Sequence, residues 1–217
     1  MHRTNNFLYF ANAFVTQQPF IKAMTKRFKL RGKNILSIAS GTCAEEVIMA
    51  LSRVKSVTCV DPDYATLSIG ITASVNIPNI SFANYKIQEF QAKEKFDFVY
   101  TSAPSDWLDD IGWEGGMPDH YIDAINKYAK DNVVIMLYGP KYEPFIDEEH
   151  FLNMIDQQLE DFYILEWWDM TVGNILVLGR EERVIPDHPD FVKADLRWLD
   201  KEGGNCKRVY QWTPSKD

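Results

Sequence analysis

Short apolar runs, separated by turn residues and by segments of helical periodicity, recur along most of the chain. Residues 34–39 and 56–60 form two such runs, and each ends at turn-forming residues, which is typical of a buried strand. The segment after each run has apolar positions at helical spacing. Strands that alternate with helices predict a parallel sheet covered by helices on both faces.

Five further runs continue this pattern, at residues 80–83, 96–100, 132–138, 162–169 and 174–178. The last two are joined by too few residues to hold a crossover helix, so they are expected to be antiparallel neighbours. The sequence therefore predicts an α/β fold with a doubly wound, mostly parallel seven-stranded sheet, an antiparallel C-terminal hairpin, and helices on both faces.

Two helices are predicted before the sheet. Phe7, Phe10 and Phe14 stand at helical spacing in the first helix, over residues 5–17. Pro19 suits the first turn of a second helix, because a proline there loses no helical hydrogen bond. These helices and their aromatic residues precede the first strand.

The predicted elements divide the chain into three parts. N-terminal helices occupy residues 1–31, and the sheet domain occupies residues 32–180. The extension 181–217 contains an amphipathic helical segment at 188–199 and a run at 209–212 that forms either a strand or a contact with a partner. A length of 217 residues suits one domain with such an appendage, so the extension is expected to pack on the same domain.

The charge of the chain limits the classes of partner that it can bind. The chain has 31 acidic and 23 basic residues and a net charge of −8, whereas proteins that bind a phosphate backbone cluster Lys and Arg. The basic run at residues 26–33 is interpreted as the solvated end of a helix. No run approaches the roughly 20 apolar residues of a membrane span. We therefore expect neither nucleic acid nor a membrane as partner.

The three cysteines, Cys43, Cys59 and Cys206, are odd in number and lack the spacing of a metal-binding pair. Reduced thiols in a cytoplasmic protein are therefore expected, and no metal site is predicted.

The strongest sign of a binding site lies at the ends of the first two strands. Ser40, Gly41 and Thr42 form a turn after the first strand, and Asp61 follows the second, 20 residues beyond Gly41. Ligands of open α/β sheets bind outside the carboxyl ends of the strands, where a glycine turn allows close approach and an acid on the next strand accepts ribose hydroxyls.

These residues resemble the first motif of the class I S-adenosylmethionine-dependent methyltransferases. That motif reads apolar-apolar-acid-apolar-Gly-x-Gly-x-Gly, and ILSIASGTC matches its register. The later run FDFVY and the terminal hairpin match the fourth strand and the reversed seventh strand of the family. The resemblance spans roughly residues 32–180.

The sequence also departs from the motif. Ser37 stands where the family usually has an acid, and Ala39 and Cys43 replace two glycines. Lys86 or its neighbours replace an acid that often meets the adenine amino group.

The resemblance implies S-adenosylmethionine as cofactor and methyl transfer to an oxygen or nitrogen of a small metabolite. The positions that match the family's binding residues are expected to contact the cofactor. They are Ala39, Ser40 and Gly41 at the methionine moiety, Asp61 at the ribose, Pro62, Asp63 and Tyr64 beside the adenine, Ile87 and Gln88 at the adenine edge, and Thr101 beneath the sulfonium.

Methyl transfer requires a nucleophile aligned with the sulfonium carbon and, where needed, removal of a proton. The loop after the fourth strand lies where the acceptor is expected. Asp106 is therefore the first candidate for a catalytic acid or base, and His120 is the second. The loop matches only Pro104 of the Asn/Asp-Pro-Pro-aromatic tetrad of the base-amino methyltransferases. The N-terminal aromatic residues are expected either to cap the acceptor or to pack against the sheet.

Three other functions remain open. Transfer of the cofactor's aminocarboxypropyl arm is compatible with the same fold. A nicotinamide dehydrogenase is a second, because Ala39, Gly41 and Ala44 with Asp61 loosely fit the dinucleotide fingerprint. The third is a non-catalytic binding or partner protein that has lost the cofactor. A homodimer is also left open.

Overall fold

The computed structural model describes residues 2–102, 119–138, 159, 161–170, 173–181 and 207–210. Within these ranges four helices and eight strands are present. The helices are α1 (His2–Arg27), α2 (Ala44–Leu51), α3 (Tyr64–Ala73) and α4 (Asp119–Tyr128). The strands are β1 (Asn34–Ile38), β2 (Ser56–Val60), β3 (Ile80–Ala83), β4 (Phe96–Ser102), β5 (Ala129–Tyr138), β6 (Tyr163–Met170), β7 (Gly173–Gly179) and β8 (Lys207–Tyr210).

The strands form one sheet in the order β3-β2-β1-β4-β5-β7-β6-β8. Strands β1 to β5 pair in parallel, and β7 runs antiparallel to both β5 and β6. The predicted α/β class, the mostly parallel sheet and the reversed C-terminal hairpin are confirmed.

The predicted count of seven strands is wrong for the described residues, which form eight. The additional strand is β8, which pairs antiparallel with the edge of β6. The run at 209–212 was expected to form either a strand or a partner contact, and its first two residues, 209 and 210, belong to β8.

The N-terminus forms one helix rather than the predicted two. Helix α1 continues through Pro19. Buried positions recur with helical period on both sides of that proline, at Phe10, Ala13, Ile21 and Met24. Burial of this continuous stripe offsets the hydrogen bond that the proline removes, so tertiary packing overrides the local signal.

The two faces of the sheet are covered by different helices. On one face, Ile35 of β1 and Phe98 of β4 pack in a core with residues of α1, α2 and α3. On the other face, Leu36 and Val99 pack in a core with residues of α4. The alternation of side chains along each strand produces this division and directs Ser37 towards α2.

Arg180, directly after β7, ties the end of α4 to the sheet. Its Nε donates to the carbonyl of Ala129 at 3.2 Å, and one terminal nitrogen donates to the carbonyl of Asn126 at 3.1 Å. The guanidinium also lies 4.4 Å from the centre of the Phe162 ring. A cation is favourable at a helix C-terminus. These contacts fix α4, whose N-terminus lies at the carboxyl edge of the sheet.

No helix among the described residues is long and apolar enough to cross a membrane. The helical segment predicted at residues 188–199 lies outside the described residues.

Candidate functional site

The turn after β1 has a left-handed backbone at three alternate positions. Ala39, Gly41 and Cys43 have φ angles of 55°, 53° and 62°. Residues with a Cβ rarely adopt this region, because the Cβ approaches a carbonyl oxygen. Ala39 and Cys43 therefore keep the conformation that suits the glycines of the resembled motif.

Asp61 accepts hydrogen bonds from two backbone amides, one in this turn and one just after β2. Its Oδ2 accepts from Gly41 at 2.8 Å, and its Oδ1 accepts from Asp63 at 2.8 Å. The Gly41 amide therefore donates to a carboxylate of the protein itself. Because an ionised carboxylate offers about four acceptor sites, ribose hydroxyls can share Asp61 with these amides.

A buried acid lies beneath the turn, at a position other than the one where the family motif has it. The hydroxyl of Ser37 donates to Oε1 of Glu46 at 2.5 Å. Glu46 is 1% exposed, and its Oε2 has no hydrogen-bond partner within the described part of the chain. Burial, opposed by the Ser37 hydrogen bond and reinforced by the charge of Asp61, raises the pKa of Glu46 to about 7.

A first cleft of about 280 Å³ lies at the carboxyl ends of β1, β2 and β4. Its walls come from α1, from the turn after β1, from the starts of α2 and α3, and from the end of β4. The lining residues are Tyr9, Ala13, Gln17, Ala39, Ser40, Gly41, Thr42, Ala44, Glu45, Asp61, Asp63, Thr66 and Ser102.

A second cleft of about 180 Å³ adjoins the first and shares Ala39 with it. Its walls are mostly apolar and come from the ends of β1 and β2, from the segment after β3, and from α4. The lining residues are Ile38, Ala39, Val60, Pro62, Tyr85, Lys86, Ile87, Gln88, His120 and Tyr121.

Eight of the ten residues expected to contact the cofactor line one of these clefts. The other two do not: Tyr64 begins α3 and is 63% exposed, and Thr101 is 1% exposed within β4. The next residue along β4, Ser102, lines the first cleft instead. Thr101 is nevertheless buried with an Oγ1 that has no hydrogen-bond partner in the described residues.

Of the two residues proposed as catalytic, one can be placed. His120 lies in the first turn of α4 and lines the second cleft, beside Ile87 and Gln88 rather than beside Gly41. Asp106 lies outside the described residues.

The N-terminal aromatic residues divide between core and surface. Phe10 is buried in a cluster with Val47 of α2, and Phe14 packs against that cluster. Phe7 is 58% exposed. Of the two roles expected for these residues, Phe10 and Phe14 therefore have the packing role, and other residues of α1 face the cleft.

Those residues are Tyr9, Ala13 and Gln17, which the sequence reasoning missed. Their spacing of four places them on one face of α1. The sequence shows this shared face, but which face of α1 meets the cleft depends on how α1 packs against α2. Glu46 was also missed, because the expected acid was sought at position 37 on the strand.

Asp63 has a structural role at the start of α3. Its carboxylate accepts from the Ala65 amide at 2.9 Å and from the Thr66 hydroxyl at 2.7 Å. The Thr66 hydrogen bond is the main cause that holds the pKa of Asp63 below its usual value. An ionised carboxylate therefore stays at the rim of the first cleft.

Within the described ranges, no group of three or more His, Cys, Asp or Glu side chains is arranged to hold a metal ion.

Neither a family model nor a curated protein matches the sequence. Solved structures do match it. An S-adenosylmethionine-dependent methyltransferase from Aquifex aeolicus aligns with a TM-score of 0.59 and 12% identity, over 82% of this chain and 98% of that chain.

Two further structures show the same likeness. Magnesium protoporphyrin IX methyltransferase from Synechocystis PCC 6803, solved with bound S-adenosylmethionine, aligns with a TM-score of 0.57 and 15% identity, over 77% of this chain and 81% of that chain. A candidate RNA methyltransferase from Pyrococcus horikoshii aligns with a TM-score of 0.55 and 12% identity, over 78% and 82%. The chain therefore has the class I, Rossmann-like fold of the S-adenosylmethionine-dependent methyltransferases.

Proposed function

We propose that this protein binds S-adenosylmethionine and transfers its methyl group to a nitrogen or oxygen of a small metabolite. The observation that supports this most is the pair of clefts that meet at Ala39, along the carboxyl ends of β1 and β2. Such a double cleft suits an elongated ligand with two chemically different ends. In open α/β sheets this edge is the usual ligand site.

The first cleft suits the charged end of the cofactor. Glu45, Asp61 and Asp63 contribute carboxylates to it, and no Lys, Arg or His is among its described lining residues. In this half of the molecule S-adenosylmethionine has a sulfonium, an ammonium and a carboxylate group, so its net charge there is positive. Carboxylates of the protein near the two cationic groups are electrostatically favourable.

The second cleft suits a flat base. Val60, Pro62 and Ile87 form apolar walls, and Gln88 adds an amide that can both donate and accept hydrogen bonds. His120 lies in the same cleft, so we propose that it contacts the adenine side of the cofactor and does not remove a proton from the acceptor. This revises the role expected from the sequence.

The choice of acceptor class rests on charge and size. Among proteins that share the fold, one is named for a porphyrin and another for RNA, so the fold does not select the acceptor. This chain has a net charge of −8, and acidic residues line its cleft. We therefore propose a small acceptor and no nucleic acid partner.

Calorimetric titration tests the proposal. S-adenosylmethionine, S-adenosylhomocysteine and adenosine should all bind, with adenosine weakest because it fills one cleft. Ile87→Trp should fill the second cleft and weaken the binding of all three ligands by at least tenfold. Ile71→Trp is the matched control, since Ile71 lies on the solvent side of α3 and is 38% exposed.

Absence of binding by the wild-type protein would overturn the proposal. If the cofactor binds, the fate of its carbon atoms distinguishes the reactions. Label in the methyl group should appear in the acceptor, whereas label in the carboxyl group should do so only if the aminocarboxypropyl arm is transferred.

A further inference from the structure

Gln17 presents an unsatisfied polar group at the first cleft. The residue is 5% exposed and lines the cleft, yet its Oε1 has no hydrogen-bond partner within the part of the chain that is described. A buried carbonyl oxygen without a donor is unfavourable, and native proteins seldom leave one. A ligand with an N–H or O–H group at this point would supply the missing donor.

The wall that contains Gln17 is separate from the turn that bounds the rest of the cleft. Gln17 and Tyr9 come from α1, and Glu45 comes from the first turn of α2. Tyr9 is 62% exposed, so this side of the cleft opens to solvent at one end, while Gln17 is buried. These residues form the α1 side of the first cleft, beside the proposed methionine site.

The charge of the first cleft favours a cation over an anion. Glu45, Asp61 and Asp63 line the cleft, and its described lining residues include no basic side chain. An acceptor whose only charge is a carboxylate would meet like charges here, whereas an ammonium ion would meet opposite charges.

We propose that the α1 side of the first cleft binds a protonated amine, and that this amine is the methyl acceptor. Gln17 Oε1 and the Glu45 carboxylate accept hydrogen bonds from its N–H groups. The inference rests on the proposed function and specifies its substrate class. Amine nitrogen, rather than a carboxylate or hydroxyl oxygen, is then the atom that is modified.

The reaction balances without a further reagent. The ammonium group first loses one proton to Glu45 or to water, which frees the nitrogen lone pair. That pair attacks the methyl carbon, a C–N bond forms, and the C–S bond breaks with its electrons passing to sulfur. The products are a methylammonium ion, the neutral thioether S-adenosylhomocysteine and one proton.

Affinity for matched ligands tests the inference. Calorimetry on the protein saturated with S-adenosylhomocysteine compares 2-phenylethylamine, 2-phenylethanol and phenylacetate, with butylamine, butanol and butyrate as a second set. In each set the amine should bind at least tenfold more tightly than the carboxylate. Transfer of labelled methyl groups to the amines provides a second readout.

Variants test whether Gln17 and Glu45 bind the amine. Gln17→Leu and Glu45→Gln should each weaken amine binding by at least fivefold, and Gln17→Leu should leave the affinity for S-adenosylhomocysteine within twofold. Gln18→Leu is the matched control, because Gln18 is adjacent in α1 but is not among the residues that line the cleft. Glu45 is only half-buried, so its variant tests the inference even if Gln17→Leu does not fold.

Equal binding of the amine and the carboxylate, or preference for the carboxylate, overturns the inference. So does amine binding that both variants leave unchanged. If S-adenosylhomocysteine itself does not bind, the proposed function fails first, and that result is distinct from a loss of amine selectivity in a protein that binds the cofactor.

Discussion

The hydroxyl of Ser37 donates a 2.5 Å hydrogen bond to Oε1 of Glu46, so that α2 supplies an acid at the point where β1 lacks one. Both residues are buried beneath the Gly41 turn, and Asp61 adds a second carboxyl group nearby. An acid supplied from the helix thus replaces one expected from the strand.

Glu46 should make stability depend on pH. Its folded-state pKa is raised from 4.5 to about 7, so its contribution is fully present below pH 4.5 and is lost as the pH rises through about 7. Glu46→Gln keeps an acceptor for Ser37 but cannot ionise. At pH 8 it should be more stable than the wild type by roughly 1–3 kcal/mol, with little difference at pH 4.5.

Denaturant unfolding of both proteins at several pH values measures this effect. Glu45→Gln, at the half-buried neighbouring position, should show no comparable gain at pH 8. A constant difference between Glu46→Gln and the wild type across the pH range would contradict the account.

Ala39→Gly should stabilise the protein. Ala39 has a φ of 55°, a conformation that costs a residue with a Cβ roughly 1–2 kcal/mol, and the added freedom of glycine in the unfolded chain offsets part of the gain. A net increase of about 0.5–1 kcal/mol is expected in denaturant unfolding. Ala50→Gly, inside α2, should instead lose about 1 kcal/mol. Destabilisation by Ala39→Gly would show that its methyl group contributes more than the backbone strain costs.

Asp61→Asn should weaken cofactor binding by more than tenfold, since the carboxylate both shapes the turn and is proposed to accept the ribose hydroxyls. Loss of a hydrogen bond to a charged group costs about 1.5–3 kcal/mol. Asp97→Asn is the control, because Asp97 accepts from the Asn34 amide at the opposite end of β1. Calorimetry with S-adenosylhomocysteine measures both variants, and unchanged affinity for Asp61→Asn would exclude its proposed role.

The protein should not bind nucleic acid at moderate salt. Its net charge is −8, and the first cleft has three carboxylates among its described lining residues. Gel shifts with DNA and RNA duplexes and single strands should show no complex. Micromolar binding that weakens steeply with salt would reverse this conclusion, because it is the signature of phosphate contacts.

The mostly parallel sheet and its reversed C-terminal hairpin were predictable, because each strand is a short apolar run with clear turn residues. The single helix α1 was not, since Pro19 is a local signal for a break and the buried stripe that opposes it is visible only once the sheet is in place. The turn at Gly41 was predictable from its motif. Glu46 and Gln17 were not, because their significance depends on contacts between elements that are distant in sequence.

The most direct test of the central claim is a crystal structure of the protein with S-adenosylhomocysteine. The adenine should lie in the second cleft beside Pro62 and Ile87, and the homocysteine arm should pass Ala39 into the first cleft beside Gly41. A ligand bound elsewhere, or clefts that remain empty at saturating concentration, would contradict the account.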